Sequence, residues 1–447
     1  VTGFSEDRRQ ILHIAVGFLA LLLRWLSWGQ ALAMAALAVV FNLTLLPRLA
    51  GPSIYRSSDR HRGAMTGIVL YPVAVLVLLA VFPGRPDLVA AAWGILAFGD
   101  GFATLIGRRG TTRLPWNREK SVEGTMAFIV AGAAAGIALA AWVRPLVSPP
   151  PAWMFVVLAP LAAAVVAALV ETIPVRLDDN LSVPASAAGV LWACSLIAAD
   201  AMELTFSAIA SRWLPALLVN AAFAAGGWAA GTVSLAGAIV GFAIGLAIYL
   251  GAGAAGWLLL FATFLAAAAS SKVGWKRKTV LGIAEDRGGR RGPGNALANC
   301  GLAAAAALVG MTMASREMAW LVLVTALTAG GSDTVASEAG KAWGRRTFSV
   351  IGLRRVKPGT SGAVSLEGTL AGLAAAVTLA GLAALLGLIE PRFIWVAAAG
   401  ATAGAFVESV LGATLEGPGI LNNDLLNFLN TAAAAAVAVA LVWFFVP

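Results

Sequence analysis

Ser121-Val122-Glu123-Gly124-Thr125 returns later in the chain as Ser365-Leu366-Glu367-Gly368-Thr369. An aspartate at the end of an apolar stretch precedes each run. Asp100 is followed by Ala103, Gly107, Arg108 and Arg109, and Asp333 by Ala336, Gly340 and Lys341. The alanine, the glycine and the basic residue keep the same spacing from the aspartate both times. An internal repeat fixes architecture before any other feature does. This one predicts two copies of one membrane unit. It also picks a few acids out of a chain with only 22 Asp and Glu in 447 residues.

The chain is 60% hydrophobic and 12% charged, with a mean hydropathy of +0.86. Soluble domains carry about 25% charged residues. Apolar runs recur along the whole length, each of the roughly 17–25 residues a bilayer-spanning helix needs. The composition therefore predicts an all-α, polytopic transmembrane protein of roughly 15 spans. They fall near 11–27, 28–46, 66–82, 88–106, 122–142, 152–170 and 184–199, then 211–229, 232–250, 254–271, 295–313, 318–331, 364–388, 393–412 and 428–446. The first run reads as a true span rather than a cleaved signal peptide, because many others follow it. Seven spans make one copy, and the extra span at 211–229 gives the second copy the same orientation. Domains are expected at 1–200 and 201–447. Inverted repeats would point to a transporter; parallel ones put both motif loops on one face.

The net charge of +9 does not argue for nucleic acid. With the N-terminus inside, 25 of the 31 Lys and Arg fall on the cytoplasmic side. The exceptions are Arg24, Arg85, Arg144, Arg212, Arg316 and Arg392. That asymmetry is what the positive-inside rule produces. Cys194 and Cys300 give no disulfide framework and no zinc site. His13 and His61 are too few for histidine catalysis at two equivalent sites.

Each copy offers the same inventory. Three acids sit at span ends: Asp100, Glu123 and Glu171 in the first, Asp333, Glu367 and Glu408 in the second. An Asp/Asn pair follows, Asp179-Asn180 after Asp178, and Asn423-Asp424 with Asn427. Basic loops flank both, with Arg48, Arg56, Arg60 and Arg62 in one copy and Lys272, Lys276, Arg277, Lys278, Arg287, Arg290 and Arg291 in the other. Intramembrane acids are costly unless paired or bound to a cation. Several carboxylates at one depth make a hard oxygen site suited to Mg²⁺. Magnesium with Arg and Lys clamps is the equipment of phosphoryl transfer. Lys120 beside Ser121 is the better phosphate candidate. Arg108, Arg109, Arg345 and Arg346 read equally as topological anchors. Ser121 and Ser365 also read as helix caps, with the following glutamate on the helix dipole. No Gly-x4-Gly-Lys-Ser/Thr loop is present.

Two family resemblances rest on these residues. The first half resembles the CTP-dependent polyprenol kinases, which include dolichol kinase and phytol kinase. It does so through Gly99-Asp100-Gly101-Phe102-Ala103, Gly107-Arg108-Arg109, Lys120 to Thr125, and Glu171 with Asp179-Asn180-Leu181-Ser182-Val183-Pro184. The second half resembles the phytyl-phosphate kinase family. The matching stretches are Ser270-Ser271-Lys272-Val273-Gly274, Asn295 to Asn299, Ser332 to Glu338, Lys357 to Ser365, and Asn423-Asp424 with Asn427.

The resemblance implies phosphate transfer from CTP to an isoprenoid alcohol, then a second transfer to the prenyl monophosphate. Both sites would face the cytoplasm at the inner or plasma membrane. It implies catalytic roles for Asp100, Glu123, Glu171, Asp333, Glu367 and Glu408. Arg108, Lys120, Ser121, Asn180, Lys272, Lys341, Lys357, Thr360, Ser361 and Asn427 would hold nucleotide or phosphate. Asp100, Glu123, Asp179, Asp333, Glu338, Asn423 and Asp424 would hold Mg²⁺. The competing readings are a CTP-dependent lipid cytidylyltransferase, against which stands the lack of an Asp-Arg-x-x-Asp element near the C-terminal loops, and a non-enzymatic transporter or flippase.

Overall fold

The computed structural model describes residues 6–50, 67–173, 178–283, 291–417 and 420–445. The expected basic residues Arg56, Arg60, His61, Arg62, Arg287 and Arg290 lie outside them. The chain divides into two compact units, Val1–Leu196 and Ile197–Pro447. Among the described residues both are helical, apart from one short antiparallel strand pair, Thr347–Ser349 with Ala363–Ser365.

Among the described residues ten helices are long and apolar enough to cross a bilayer. That is fewer than fifteen, for local reasons. The helix Glu6–Gly17 tightens into a 3₁₀ stretch, Phe18–Arg24, and the apolar helices Trp28–Thr44 and Ile68–Val81 are shorter. The expected spans 232–250 and 254–271 are two arms of one element, Leu235–Lys272, broken at Gly253, where φ is +70°. A break frees backbone carbonyls, which lipid cannot satisfy. Arg212 supplies the donor: its guanidinium reaches the carbonyls of Leu250 at 3.0 Å and Gly251 at 2.9 Å.

In each unit the most enclosed of these helices carries the repeated aspartate. In the first unit it runs from Pro86 to Gly107, turning to π geometry over Ile95–Asp100 before Gly101–Gly107 resumes the α form. Its neighbours present small faces, with Ala163, Ala164, Ala167 and Ala168 fully enclosed. In the second unit it is Glu317–Trp343. Here the sequence reading of a loop over 332–362 is corrected. The helix continues ten residues past Asp333, and the stretch after it begins with the strand Thr347–Ser349, which pairs with Ala363–Ser365 just beyond. Ser337, Glu338 and Lys341 mask the helical pattern in sequence, but Ala339 and Ala342 are buried on its inner face.

Large apolar side chains point outward instead, among them Val130, Met154, Phe206 and Leu385. Small residues inside and large ones outside is the pattern of helices held together by close packing within lipid.

Candidate active site

Several residues of the repeated motif cap helices or mark where they cross. Ser121 caps the helix Val122–Val143, its Oγ accepting from the Gly124 amide at 3.1 Å, and Ser365 accepts from the Gly368 amide at the same distance. A Cβ on Gly124 would lie 2.8 Å from the Gly107 Cα and 3.0 Å from the Ala103 carbonyl. One on Gly368 would lie 2.6 Å from the Ala336 carbonyl and 3.2 Å from the Gly340 Cα. The alanine and glycine spaced behind each aspartate are therefore where the next helix crosses. Gly124→Val should force that crossing apart and lower stability by about 1–3 kcal/mol, measurable as a lower unfolding temperature in detergent.

Both glutamates of the motif are tied to the loop before them. Glu123 Oε1 accepts from the amides of Thr111 and Thr112, each at 3.0 Å, and Glu367 Oε1 accepts from the Arg345 amide at 3.2 Å. Arg108 is held at the surface by Asp7 at 2.7 Å.

In the first unit the fold brings Glu171 and Asp179 to Asp100. Asp100 comes from the π turn, Glu171 from the end of the helix Trp153–Glu171, and Asp179 from the start of the helix Asp179–Ser195. One oxygen from each of the three lies within 4.8 Å of the others. Asp100 and Glu171 are buried. Lys120 Nζ reaches into the group, 2.5 Å from Glu171 Oε1 and 3.3 Å from Asp179 Oδ2. Burial works against its charged form, but Glu171, Asp179 and Asp100 together outweigh that and hold its pKa above the usual lysine value. His13 Nε2 stands 3.5 Å from Asp100 Oδ2 on the other side. Asn180 is pinned through its amide nitrogens to Asp178, and its side-chain oxygen is buried with no partner. Three hard oxygen donors, a fixed ammonium and an orphaned amide oxygen fit a divalent cation with phosphate ligands.

The second unit arranges its residues differently. Asp333 lies within electrostatic reach of Glu408, and Glu408 within reach of Glu416. Asn430, buried beside Gly404, faces Glu408 from the last helix. Glu338 is engaged by two lysines, Lys278 Nζ at 2.5 Å and Lys341 Nζ at 2.8 Å. Lys341 also acts on Asp333.

The loop carrying Lys357, Thr360 and Ser361 is docked on the Glu408 helix: Ser361 Oγ donates to Glu416 Oε2. Gly362, at φ +68°, lies against the Ser409 carbonyl and the Ala413 amide, closer than any side chain allows. Lys357 and Thr360 are exposed on this loop, and Lys272 is exposed at a helix end. Asn423 and Asp424 begin the last helix, where Asp424 abuts Gly294 and Asn427 is buried.

A family model described as "Integral membrane protein DUF92" matches residues 218–435. The uncharacterized membrane protein sll0875 of Synechocystis sp. is 38% identical over 201 residues, covering 44% of this chain and 78% of that protein. Protein VTE6, chloroplastic, of Arabidopsis thaliana is 33% identical over 276 residues, covering 60% of this chain and 81% of that protein. The chain belongs to the DUF92 family of integral membrane proteins. It is also 31% identical over 198 residues to the rice protein named "Probable phytol kinase 2, chloroplastic", covering 41% of this chain and 64% of that protein. No solved structure matches the chain.

Sequence reasoning did not single out His13, Lys278, Glu416 or Asn430. Lys278 was visible only as one of three basic residues in Lys276-Arg277-Lys278. Its difference is burial, since no part of its side chain is exposed. His13 lies far from Asp100 in the chain, and no spacing rule links them.

Proposed function

We propose that this protein is a membrane kinase of isoprenoid salvage with two sites. The first unit phosphorylates a prenyl alcohol of the phytol or geranylgeraniol type, and the second phosphorylates the resulting monophosphate to the diphosphate. CTP is the proposed donor in both. The observation that carries the reading is the grouping of Asp100, Glu171 and Asp179 around Lys120. The DUF92 membership and the similarity to proteins named phytol kinases support it. The duplicated motif supports two related sites, and the basic loops support a cytoplasmic placement of both.

Asp100, Glu171 and Asp179 would hold Mg²⁺. Bound there, it would neutralise phosphate oxygens of the nucleotide. Lys120 then supplies a second positive group, positioned by two carboxylates before any ligand arrives. In the transfer itself, the alcohol oxygen attacks the γ-phosphorus. A new O–P bond forms as the bond to the β–γ bridging oxygen breaks, and the nucleoside diphosphate leaves. The hydroxyl proton passes to Asp100 Oδ2, the oxygen that His13 faces, as in general-base catalysis. In the second step an oxygen of the monophosphate is the nucleophile and needs no proton acceptor when ionised. Holding both sites in one chain raises the effective concentration of the membrane-bound intermediate.

The test is incubation of purified protein with Mg²⁺, γ-labelled CTP and geranylgeraniol, followed by separation of the lipids. Labelled monophosphate and then diphosphate, with release of the nucleoside diphosphate, are expected. Release of pyrophosphate would instead mean cytidylyl transfer. Absence of label in lipid with CTP, ATP, GTP or UTP would overturn the kinase reading.

A further inference from the structure

The second unit holds a half-open cavity of about 180 Å³ between the helices Met202–Ala229, Leu235–Lys272, Pro293–Met311 and Glu317–Trp343. Its two ends differ in chemistry. At one end Trp257 Nε1 donates to Asn220 Oδ1 at 3.0 Å, and Asn220 Nδ2 donates to the Ala216 carbonyl at 2.8 Å. Both polar groups are thereby used up, and aromatic faces form the wall. Phe223 meets Trp257 edge-on, with ring centres 4.7 Å apart, and Phe261 stacks on it at 5.5 Å. At the other end Arg291 donates to Asn295 Oδ1 at 2.9 Å and reaches the Ala267 carbonyl at 3.4 Å. Ala267 lies about 15 Å along the helix from Trp257, at 1.5 Å per residue.

This second end has unspent polar capacity. Asn299 is buried, its Nδ2 donates to the Asn295 carbonyl, and its Oδ1 has no partner. Asn299 and Gly330 both line the cavity, and a Cβ on Gly330 would stand 2.9 Å from that oxygen. Gly330 and Thr334, which flank Asp333 on its helix, both line the cavity too. An apolar cavity with a few polar groups gathered at one end orients an amphiphile by its head. A guanidinium at that end selects an anionic head, phosphate above all. An orphaned buried oxygen calls for a donor, which a protonated phosphate oxygen or its water shell supplies.

We propose that this cavity holds a prenyl monophosphate. The head lies at Arg291 and Asn299 beside Asp333, and the isoprenoid tail runs to Phe223, Trp257 and Phe261. This rests on the reading of the second unit as a prenyl-phosphate kinase. It adds the chain-binding site and the residues that set chain length.

Gly241 offers a clean probe. It lines the cavity, and a Cβ there meets nothing within 4 Å. Gly241→Phe therefore fills the cavity without a backbone conflict and favours the helix. The full chain is photolabelled with geranylgeranyl phosphate carrying a diazirine in its tail, and the labelled peptides are mapped by mass spectrometry. Competitors are geranyl phosphate, geranylgeranyl phosphate, geranylgeraniol and an eighteen-carbon lysophosphatidate.

Label is expected within 202–229 and 235–272, the helices that carry Phe223, Trp257 and Phe261. Gly241→Phe should weaken competition by the twenty-carbon phosphate about tenfold relative to the wild type. Arg291→Gln should close most of the gap between geranylgeranyl phosphate and geranylgeraniol. Label outside these helices, or unchanged competition by geranylgeranyl phosphate in Gly241→Phe, overturns the site. Equal competition by lysophosphatidate overturns the isoprenoid assignment. Label in the cavity of a protein that transfers no phosphate leaves the cavity assigned and removes the kinase reading.

Discussion

Asp100→Asn should lower phosphorylation of the prenyl alcohol by about 10²–10³-fold, the loss typical of removing one preorganised charged group from a transition-state site. The substitution keeps the shape and removes the charge. Asp100 is the member of the acid group shared by the three helices, and it is the carboxylate that faces His13. Its loss leaves Glu171 and Asp179 already committed to Lys120. The same variant, given the monophosphate, should make diphosphate at the wild-type rate. Asp333→Asn should show the reverse, accumulating monophosphate from the alcohol. The check is a side-by-side assay of both variants with both lipid substrates, with Mg²⁺ binding measured by Mn²⁺ substitution and electron paramagnetic resonance. Equal loss of both steps in either variant would contradict two independent sites. Lys120→Met should fall between Asp100→Asn and the wild type, because the ammonium is one clamp of several.

Much of this was legible in the chain, and the gaps have physical causes. Hydropathy and charge asymmetry gave the membrane class, because lipid imposes length and composition on every span. The duplicated Asp-Ala-Gly spacing drew attention to Asp100 and Asp333. Half of that spacing is a packing code, since Ala103, Gly107 and Gly124 meet where two helices cross. Sequence does not separate a residue needed for contact from one needed for charge when both sit in one motif.

The exceptions to the inside count are instructive. Arg24 donates to the Trp142 carbonyl and lies over its ring, Arg85 pairs with Asp87, and Arg144 donates to the Pro151 carbonyl. Arg212 caps the broken helix. Each is bound to a local partner, and only the fold reveals it. Lys120, Glu171 and Asp179 come together from three separate segments, a convergence that no local pattern encodes. Asp333 reads as a helix end because Ser337, Glu338 and Lys341 interrupt the apolar run, yet the helix goes on to Trp343.

Glu338→Leu should destabilise the second unit by about 3–5 kcal/mol, the range for removing one partner of a buried ion pair. Lys278 has no exposed side chain, and its Nζ sits 2.5 Å from Glu338 Oε2 and 2.6 Å from the Ser271 carbonyl. Removing the carboxylate leaves an ammonium in an apolar setting with only backbone carbonyls to hold it. Lys341→Met should matter less, because its side chain is partly exposed and Glu338 keeps Lys278. Lys278→Met combined with Glu338→Leu should lose less than the two single variants added together, since the double variant buries no lone charge. Thermal unfolding of the four proteins in one detergent gives the order. Equal small losses in all three single variants would mean the triad is solvated and carries no buried charge. If the double variant regains stability and loses phosphorylation of the monophosphate, the triad also places Lys341 against Asp333, which it reaches from the same helix. If activity returns along with stability, the triad is a strut holding the short helix Trp275–Val280 to the helix that bears Asp333.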